Sequence, residues 1–168
     1  GAIVVGRSDL NIYKQALAGL SNKQQLAGSL ESVIAGADVV IGVSGPNTIS
    51  PAMVKSMAKD AIVFAMANPV PEIMPDQALA AGATVVATGR SDFWNQINNV
   101  LAFPGIFKAV VQGRRAKLDL AMKYAAAKAI ADLVPNPTAR EIVPSPFTPG
   151  LADTVAQAVL NSVKHDTH

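Results

Sequence analysis

The sequence predicts an α/β protein built on a doubly wound parallel sheet and followed by helices. Four short apolar runs rich in Val, Ile and Ala have the composition of buried parallel strands; they cover residues 2–5, 37–43, 61–67 and 83–88. Segments with helical spacing separate the runs. Strands and helices that alternate at short spacing indicate βαβ crossovers. After Asp92 the pattern changes to helices alone.

The helices between the strands are predicted from their ends. Ser50 followed by Pro51 is typical of an N-cap and a first helical residue. A second helix is expected to begin near Pro75 and to end at Gly82, a good residue for the left-handed position after a helix. The apolar face of the first helix would carry Met53, Val54 and Met57.

The last third of the chain predicts two helices joined by a proline-rich connector. Residues 115–134 form an amphipathic pattern, and proline recurs between 135 and 149. A final helix is expected from Thr148 and Pro149, and the tail 165–168 is expected to fray. The inward positions are Leu118, Met122, Ala125, Ala126, Ala129, Ile130 and Leu133 in the first helix and Leu151, Val155, Val159 and Val163 in the last.

Composition limits the classes of function. The 168 residues are 50% hydrophobic and 15% charged, below the usual charged fraction of about 25%, which predicts that an oligomer or a missing domain covers part of the surface. The net charge of +2 without a basic run argues against nucleic-acid binding, and no apolar run is long enough to span a membrane. With no cysteine, disulfides and thiolate catalysis are excluded. Because the chain opens on a strand-like run without Met, we expect a piece of a longer polypeptide.

Polar residues follow the second and third predicted strands. The turn 42–47 contains two glycines and Ser44, so backbone N–H groups and a hydroxyl can approach a sugar or phosphate closely. Asn68 begins a proline-rich loop, and its amide can bind a ribose or a carboxamide. The alternatives are a purely structural tight turn at 42–47 and a loop in which Asn68 satisfies only its own backbone.

Four amide side chains lie within five positions after the fourth strand: Asn95, Gln96, Asn98 and Asn99. Burying them without partners is costly, so a ligand rich in carbonyls and carboxylates is a natural partner. On a helix Asn95 and Asn99 would share a face and Asn98 would point elsewhere. A polar network between helices is the alternative. The tetrapeptide Gly-Arg-Ser-Asp, at 6–9 and 89–92, is predicted to mark two strand ends, where open α/β sheets bind ligands.

Several signatures are missing from the sequence. There is no G-x-G-x-x-G and no His-Glu-x-x-His. The acidic residues Glu31, Asp38, Asp60, Glu72 and Asp76 are scattered, and we predict that they are solvated or cap helices. Asp92 is equally plausible as a helix N-cap. No metal site is therefore predicted in this chain.

The ordered motifs resemble the malic enzyme family, in its short bacterial type. They are Gly-Val-Ser-Gly at 42–45, Ala-Asn-Pro-Val-Pro-Glu-Ile at 67–73, Gly-Arg-Ser-Asp-Phe at 89–93, Asn-Gln at 95–96 and Gly-Ile-Phe at 105–107. The resemblance implies that residues 1–134 are part of an NAD(P)-binding, Rossmann-like domain. Residues 135–168 would be its connector and C-terminal helix.

The resemblance implies oxidative decarboxylation of L-malate to pyruvate and CO2, with NAD or NADP as cofactor and Mg2+ or Mn2+. By motif position, Ser44, Gly45, Asn68 and Asn98 would bind the cofactor, and Asn99 would bind the malate carboxylate. The catalytic Tyr and Lys and the three metal-binding carboxylates of the family would all precede Gly1, so this chain is expected to hold no catalytic residue and no metal ligand and to be inactive alone.

Two departures from the family are visible. Trp94 stands where Pro is usual, and Lys108 stands where Arg is common. The resemblance also implies a cytoplasmic homodimer that includes the missing N-terminal part of the same protein. A malolactic enzyme that releases lactate and a non-catalytic nucleotide-binding or oligomerisation fragment are the alternatives.

Overall fold

The computed structural model describes residues 1–115 and 117–162 as seven α-helices and three β-strands. The strands are β1 (Val39–Gly42), β2 (Ile62–Ala65) and β3 (Val85–Thr88). The helices are α1 (Ile12–Leu20), α2 (Leu30–Ile34), α3 (Pro51–Ser56), α4 (Pro75–Ala80), α5 (Phe103–Gln112), α6 (Leu120–Asp132) and α7 (Leu151–Ser162).

The three strands form one parallel sheet in the order β1-β2-β3. Val40, Val63 and Val86 lie opposite one another across it, so the three carboxyl ends fall at one edge. The predicted α/β class is confirmed, and so are three of the four predicted strands.

The first predicted strand, residues 2–5, is wrong. Its backbone groups bond to the loop before α2 instead of joining the sheet: the Ala2 N–H donates to the Gly28 carbonyl at 2.8 Å, and the Val5 N–H donates to the Gln25 side chain at 2.9 Å. The apolar run is therefore held as an extended segment against that loop, which no periodicity in the run itself could show.

Helices α3 and α4 follow β1 and β2 and cover one face of the sheet. The Ser50 side chain accepts the Met53 N–H and caps α3, as predicted. Helix α4 begins at Pro75, and Gly82 has a left-handed φ of 106°, also as predicted. The core between sheet and helices includes Val54, Met57, Val63, Ala65, Ile73, Ala78 and Val86.

Helices α5, α6 and α7 pack around a second apolar core. Gly105 of α5 lies against Val155 of α7, and the core also contains Leu101, Ala109, Met122, Ala126, Ile130, Leu151 and Val159. The predicted helix 115–134 starts too early, because the Asp119 side chain accepts the Met122 N–H at 2.8 Å and caps α6 at Leu120. Val163 and the tail 165–168 lie outside the described residues.

The segment with four amides is not one helix. Residues 91–98 form an irregular loop, and a short 3-10 helix (Asn99–Leu101) leads into α5. Asn95 has a positive φ of 54°, a left-handed conformation that interrupts any helix at this point. Asn95 and Asn99 therefore share no helix face. Among the described residues, no helix has the length and apolarity to cross a membrane.

Candidate functional site

The loops that follow β1 and β2 lie side by side at the carboxyl edge of the sheet. The Met66 N–H donates to the Gly42 carbonyl at 3.0 Å, and the Asn47 N–H donates to the Pro71 carbonyl at 3.1 Å. These bonds join the turn 42–47 to the loop 66–72 near both of their ends. Open α/β sheets bind ligands at this edge.

A buried carboxylate joins the two loops. One oxygen of Glu72 accepts the Ser44 N–H at 2.7 Å and lies 3.3 Å from the Ser44 hydroxyl. The other oxygen accepts the Ala67 N–H at 2.9 Å. Glu72 has no exposed surface, so the prediction that it is solvated or caps a helix is wrong. Backbone donors stabilise its charge where water cannot reach it.

Gly42 leaves the room that this carboxylate needs. A Cβ at position 42 would lie 2.5 Å from Cδ of Glu72 and 2.8 Å from one of its oxygens. No real Cβ approaches a heavy atom so closely, so any larger residue would displace the carboxyl group. Packing against Glu72 therefore requires glycine at position 42.

Opposing effects act on the pKa of Glu72. Burial raises this pKa, and the hydrogen bonds from the Ala67 and Ser44 N–H groups lower it. The effect of the hydrogen bonds exceeds that of burial, and the pKa of Glu72 lies below its ordinary value. The side chain is consequently a carboxylate at neutral pH.

Three of the four residues predicted to bind the cofactor lie in this joined pair of loops; they are Ser44, Gly45 and Asn68. Ser44 is exposed, and its hydroxyl lies 3.2 Å from that of Thr48. A Cβ at Gly45 would meet open space, so a ligand has room beside its backbone. Asn68 is exposed, and neither its side chain nor its N–H has a partner among the described residues. A hydroxyl, free N–H groups and a free carboxamide suit a ligand rich in oxygen acceptors.

The end of β3 adds a third loop. Arg90 donates two hydrogen bonds of 2.8 and 2.7 Å to the Asp92 carboxylate and a third, of 3.2 Å, to the Pro69 carbonyl. The hydrogen bonds from Arg90 lower the pKa of Asp92. Asp92 therefore pairs with Arg90 and does not cap a helix. Arg7 and Asp9 in the first Gly-Arg-Ser-Asp repeat form the same pair. The second repeat follows a strand as predicted, and the first does not.

The three asparagines of this region have different surroundings. Asn98 donates to the Gly89 carbonyl at 3.0 Å and accepts the Val100 N–H at 3.0 Å, so its side chain starts the 3-10 helix. Asn99 is the next residue and is exposed. Asn95 is buried and bonds to three backbone groups, which lie in β3 and in the proline-rich connector and not in helices. Its partners are therefore structural, although the network does not run between helices.

The sequence did hold a signal for Glu72. It is the single charged residue between positions 61 and 75, in an otherwise apolar and proline-rich stretch. Glu is mostly exposed in proteins and is fully buried only where it is paired, so a lone carboxylate in such surroundings needs hydrogen-bond donors if the stretch is buried. Which donors it meets could not be predicted, since Ser44 lies 28 positions away.

Two further features bear on the site. Within residues 1–115 and 117–162, no three carboxylate or imidazole groups cluster as metal ligands. A cavity of about 780 Å3 opens between α4 and the 91–95 loop, where Arg140 lies over the Trp94 ring at 4.3 Å. Its lining contains none of the residues predicted to bind cofactor or substrate, so we place the candidate site at the joined loops.

Known proteins are similar to this chain in sequence and in architecture. Residues 1–163 match the family model described as the NAD-binding domain of malic enzyme. The chain is 51% identical over 162 residues to the bifunctional malic/malolactic enzyme of Bacillus subtilis, across 95% of this chain and 40% of that protein. It is 50% identical to the NAD-dependent malic enzyme of Geobacillus stearothermophilus, across 96% of this chain and 34% of that protein.

A solved structure agrees with the sequence comparisons. The crystal structure of an NAD-dependent malic enzyme from Thermotoga maritima superposes with a TM-score of 0.86 at 44% identity, across 92% of this chain and 40% of that one. The chain thus spans less than half the length of these relatives. By the family match and the shared fold, it belongs to the malic enzyme family and corresponds to the NAD-binding domain of that family.

Proposed function

We propose that this chain is the cofactor-binding part of an enzyme that oxidises L-malate with NAD or NADP and decarboxylates it to pyruvate and CO2. One observation carries the proposal: Glu72 holds together two loops at the carboxyl edge of a parallel sheet. These loops present the exposed Ser44 hydroxyl, open space beside Gly45 and a carboxamide on Asn68 that has no partner among the described residues. That edge is where dinucleotides bind in such sheets.

The donor set suits a dinucleotide. The Ser44 hydroxyl and the Gly45 backbone offer hydrogen bonds to sugar oxygens, and the open space at Gly45 admits the ligand. The Asn68 carboxamide can donate and accept, which matches a ribose or a nicotinamide amide. The cofactor would supply hydride acceptance, and these residues would bind and orient it.

Asn98 and Asn99 have separate parts in the proposal. The Asn98 side chain is engaged with Gly89 and Val100, so it would fix the end of β3 beside the cofactor. The exposed Asn99 would donate from its carboxamide to a malate carboxylate. The boundary between the cofactor side and the substrate side of the site would thus fall between Asn98 and Asn99.

The rest of the enzyme would complete the site. We propose that the acid–base residues and the carboxylates for Mg2+ or Mn2+ lie in the part of the protein outside this chain. More than half the length of the family relatives lies outside their match to this chain. Within the described residues β1 pairs only with β2, so its other edge has no partner strand. The alternate side chains of Val39, Ile41 and Val43 lie on one face at this side of the sheet and are exposed. A further strand has room there.

Helix α5 presents a second surface for the missing part. Phe103, Phe107 and Val111 follow one another at four-residue spacing and are more than half exposed, and the two rings lie 4.3 Å apart. Exposed apolar stripes of this kind mark interfaces. The helix begins four residues after Asn99, so we propose that the missing part or the second subunit of a homodimer closes over the substrate here. The domain division at 134 and a cytoplasmic location stay predictions.

A malolactic reaction is a second candidate. The relative from Bacillus subtilis is named as a bifunctional malic/malolactic enzyme, and the chain is 51% identical to it. The two reactions differ in their product, since one yields pyruvate with reduced cofactor and the other yields lactate.

The test is an assay on the full-length protein that contains this sequence. It is incubated with L-malate, Mn2+ and either NAD+ or NADP+, while cofactor reduction and products are followed. Pyruvate formed in step with NADH or NADPH supports the proposal, and lactate without net reduction selects the malolactic reaction. Neither product, from a folded protein, would leave a non-catalytic binding module.

A further inference from the structure

We propose that Glu72 is a positioning residue, which sets the spacing between the two loops that bind the cofactor and which depends on Gly42 for its place. The inference rests on the proposed function, because it concerns cofactor binding by these loops. It goes further by assigning a role to a residue that touches neither the cofactor nor the substrate.

The geometry divides the carboxylate between the loops. Oε1 accepts from Ser44 in the turn after β1, and Oε2 accepts from Ala67 in the loop after β2. Each oxygen therefore serves one loop. Ser44 and the neighbour of Ala67, Asn68, are two of the residues proposed to bind the cofactor.

The charge is held by the backbone. Among the described residues, no Lys or Arg forms an ion pair with Glu72. The carboxylate has no exposed surface and meets the Ser44 and Ala67 N–H groups. Because charge-assisted hydrogen bonds are stronger and shorter than neutral ones, two of them on one rigid group restrict how far the loops can separate.

Glutamine is the sharpest substitution. It has nearly the same shape, but one of its two terminal atoms is an NH2 group that cannot accept a hydrogen bond. Glu72→Gln therefore keeps the contact with one loop and places a donor against the N–H of the other. The two loops lose their common anchor while the buried volume stays the same.

Gly42→Ala tests the same claim from the other side. Its methyl group would lie 2.5 Å from Cδ of Glu72, so the intact carboxylate has to leave its position. If the spacing of the loops is what matters, both variants weaken cofactor binding. Glu31→Gln is the matched control for the charge change, because Glu31 is exposed in the first turn of α2. Gly19→Ala is the matched control for the glycine, because its Cβ meets open space.

The experiment measures the Kd of the full-length protein for NAD+ and NADP+ by isothermal titration calorimetry, alongside the melting temperature of each variant. We expect Glu72→Gln and Gly42→Ala to raise the Kd by about tenfold or more, and both controls to stay within about twofold of wild type. A purely structural Glu72 would lower the melting temperature and leave the Kd of the folded variant unchanged. That outcome overturns the inference.

Hydrogen exchange on the wild-type protein keeps the inference testable where a variant does not fold. The Ser44 and Ala67 amides should exchange slowly with and without cofactor, because Glu72 holds both. The Gly45 and Asn68 amides should become slow only when cofactor binds. Fast exchange of Ser44 and Ala67 in the free protein would overturn the inference.

The two proposals fail in different ways. Wild-type protein that binds neither nucleotide overturns the proposed function and this inference with it. Wild-type protein that binds one of them, together with a folded Glu72→Gln variant of equal affinity, overturns the role of Glu72 alone.

Discussion

The side-chain amide of Asn95 donates a hydrogen bond to the carbonyl of Ala139 at 2.9 Å, across 44 positions of the chain. The same nitrogen donates to the Val86 carbonyl in β3 at 2.9 Å, and the side-chain oxygen accepts the Ile142 N–H at 3.0 Å. One buried amide thus ties the sheet to the proline-rich connector. The connector leads to α7, so the tie links the two halves of the chain.

Replacement of Asn95 should be costly. Asn95→Ala removes three hydrogen bonds, one of them to the carbonyl of the buried Val86, and it places alanine at a positive φ. We expect the free energy of unfolding to fall by about 2–4 kcal/mol in urea denaturation. Asn161→Ala on the exposed side of α7 is the control and should change it by less than about 0.5 kcal/mol. Equal stability of both variants would contradict the tie.

Glycine substitutions should have opposite effects in two helices. A Cβ on Gly105 would lie 2.6 Å from Cβ of Val155, so Gly105→Ala should destabilise the packing of α5 on α7 by about 1–3 kcal/mol. Gly19 in α1 meets nothing within 4 Å, so Gly19→Ala should stabilise the protein by up to about 1 kcal/mol. Thermal unfolding of both variants checks the pair. A neutral Gly105→Ala would show that α5 and α7 pack less closely than described.

The elements were predictable where local chemistry specifies them. Ser50 with Pro51 predicted the start of α3, and Gly82 predicted the end of α4, because caps depend on residues a few positions apart. The segment 2–5 failed because its composition is that of a strand while its partners lie in the loop before α2. The prediction of a helix through Asn95 was wrong, because contacts with Val86 and Ala139 hold its backbone in the left-handed conformation.

Acid should weaken the protein through Glu72. Its pKa is lower in the folded state than the ordinary value of 4.5, so the folded state binds the proton less readily than the unfolded chain does. The stability that Glu72 contributes is therefore present above about pH 4.5 and is lost as the pH falls through the folded pKa. The free energy of unfolding of wild type should fall more steeply in this range than that of Glu72→Gln. Parallel curves would argue against a carboxylate held by these donors.

Other acidic groups share this range. Hydrogen bonds from Arg7 and Arg90 also lower the pKa values of Asp9 and Asp92. Both carboxylates remain unchanged in Glu72→Gln, so their effect cancels in the difference between the two curves. The comparison therefore isolates Glu72.

Asn99 should affect substrate more than cofactor. Asn99→Ala removes an exposed carboxamide that can donate to a carboxylate, and hydrogen bonds to charged groups contribute about 1.5–3 kcal/mol. We expect the KM for malate of the full-length enzyme to rise about tenfold or more, with little change in the Kd for the nucleotide. Steady-state kinetics and calorimetry measure the two quantities. A rise in the nucleotide Kd alone would move Asn99 to the cofactor side.

The site was predictable in part. The motifs named Ser44, Gly45 and Asn68, and the structure brings their loops together. Glu72 was missed because its role depends on a bond to Ser44, which only the folded sheet makes possible. Asn98 was named for the cofactor, and its side chain bonds instead to Gly89 and Val100, so its contact with cofactor stays a prediction.

The central claim is that the turn 42–47 and the loop 66–72 form the nucleotide site, and titration of the full-length protein with NAD+ and NADP+ tests it most directly. Asn68 is the residue to vary, because its carboxamide is exposed, and Asn161→Ala is the control. We predict that wild type binds at least one nucleotide and that Asn68→Ala binds it about tenfold more weakly. Binding of neither nucleotide by wild type, or equal binding by Asn68→Ala, would contradict the account.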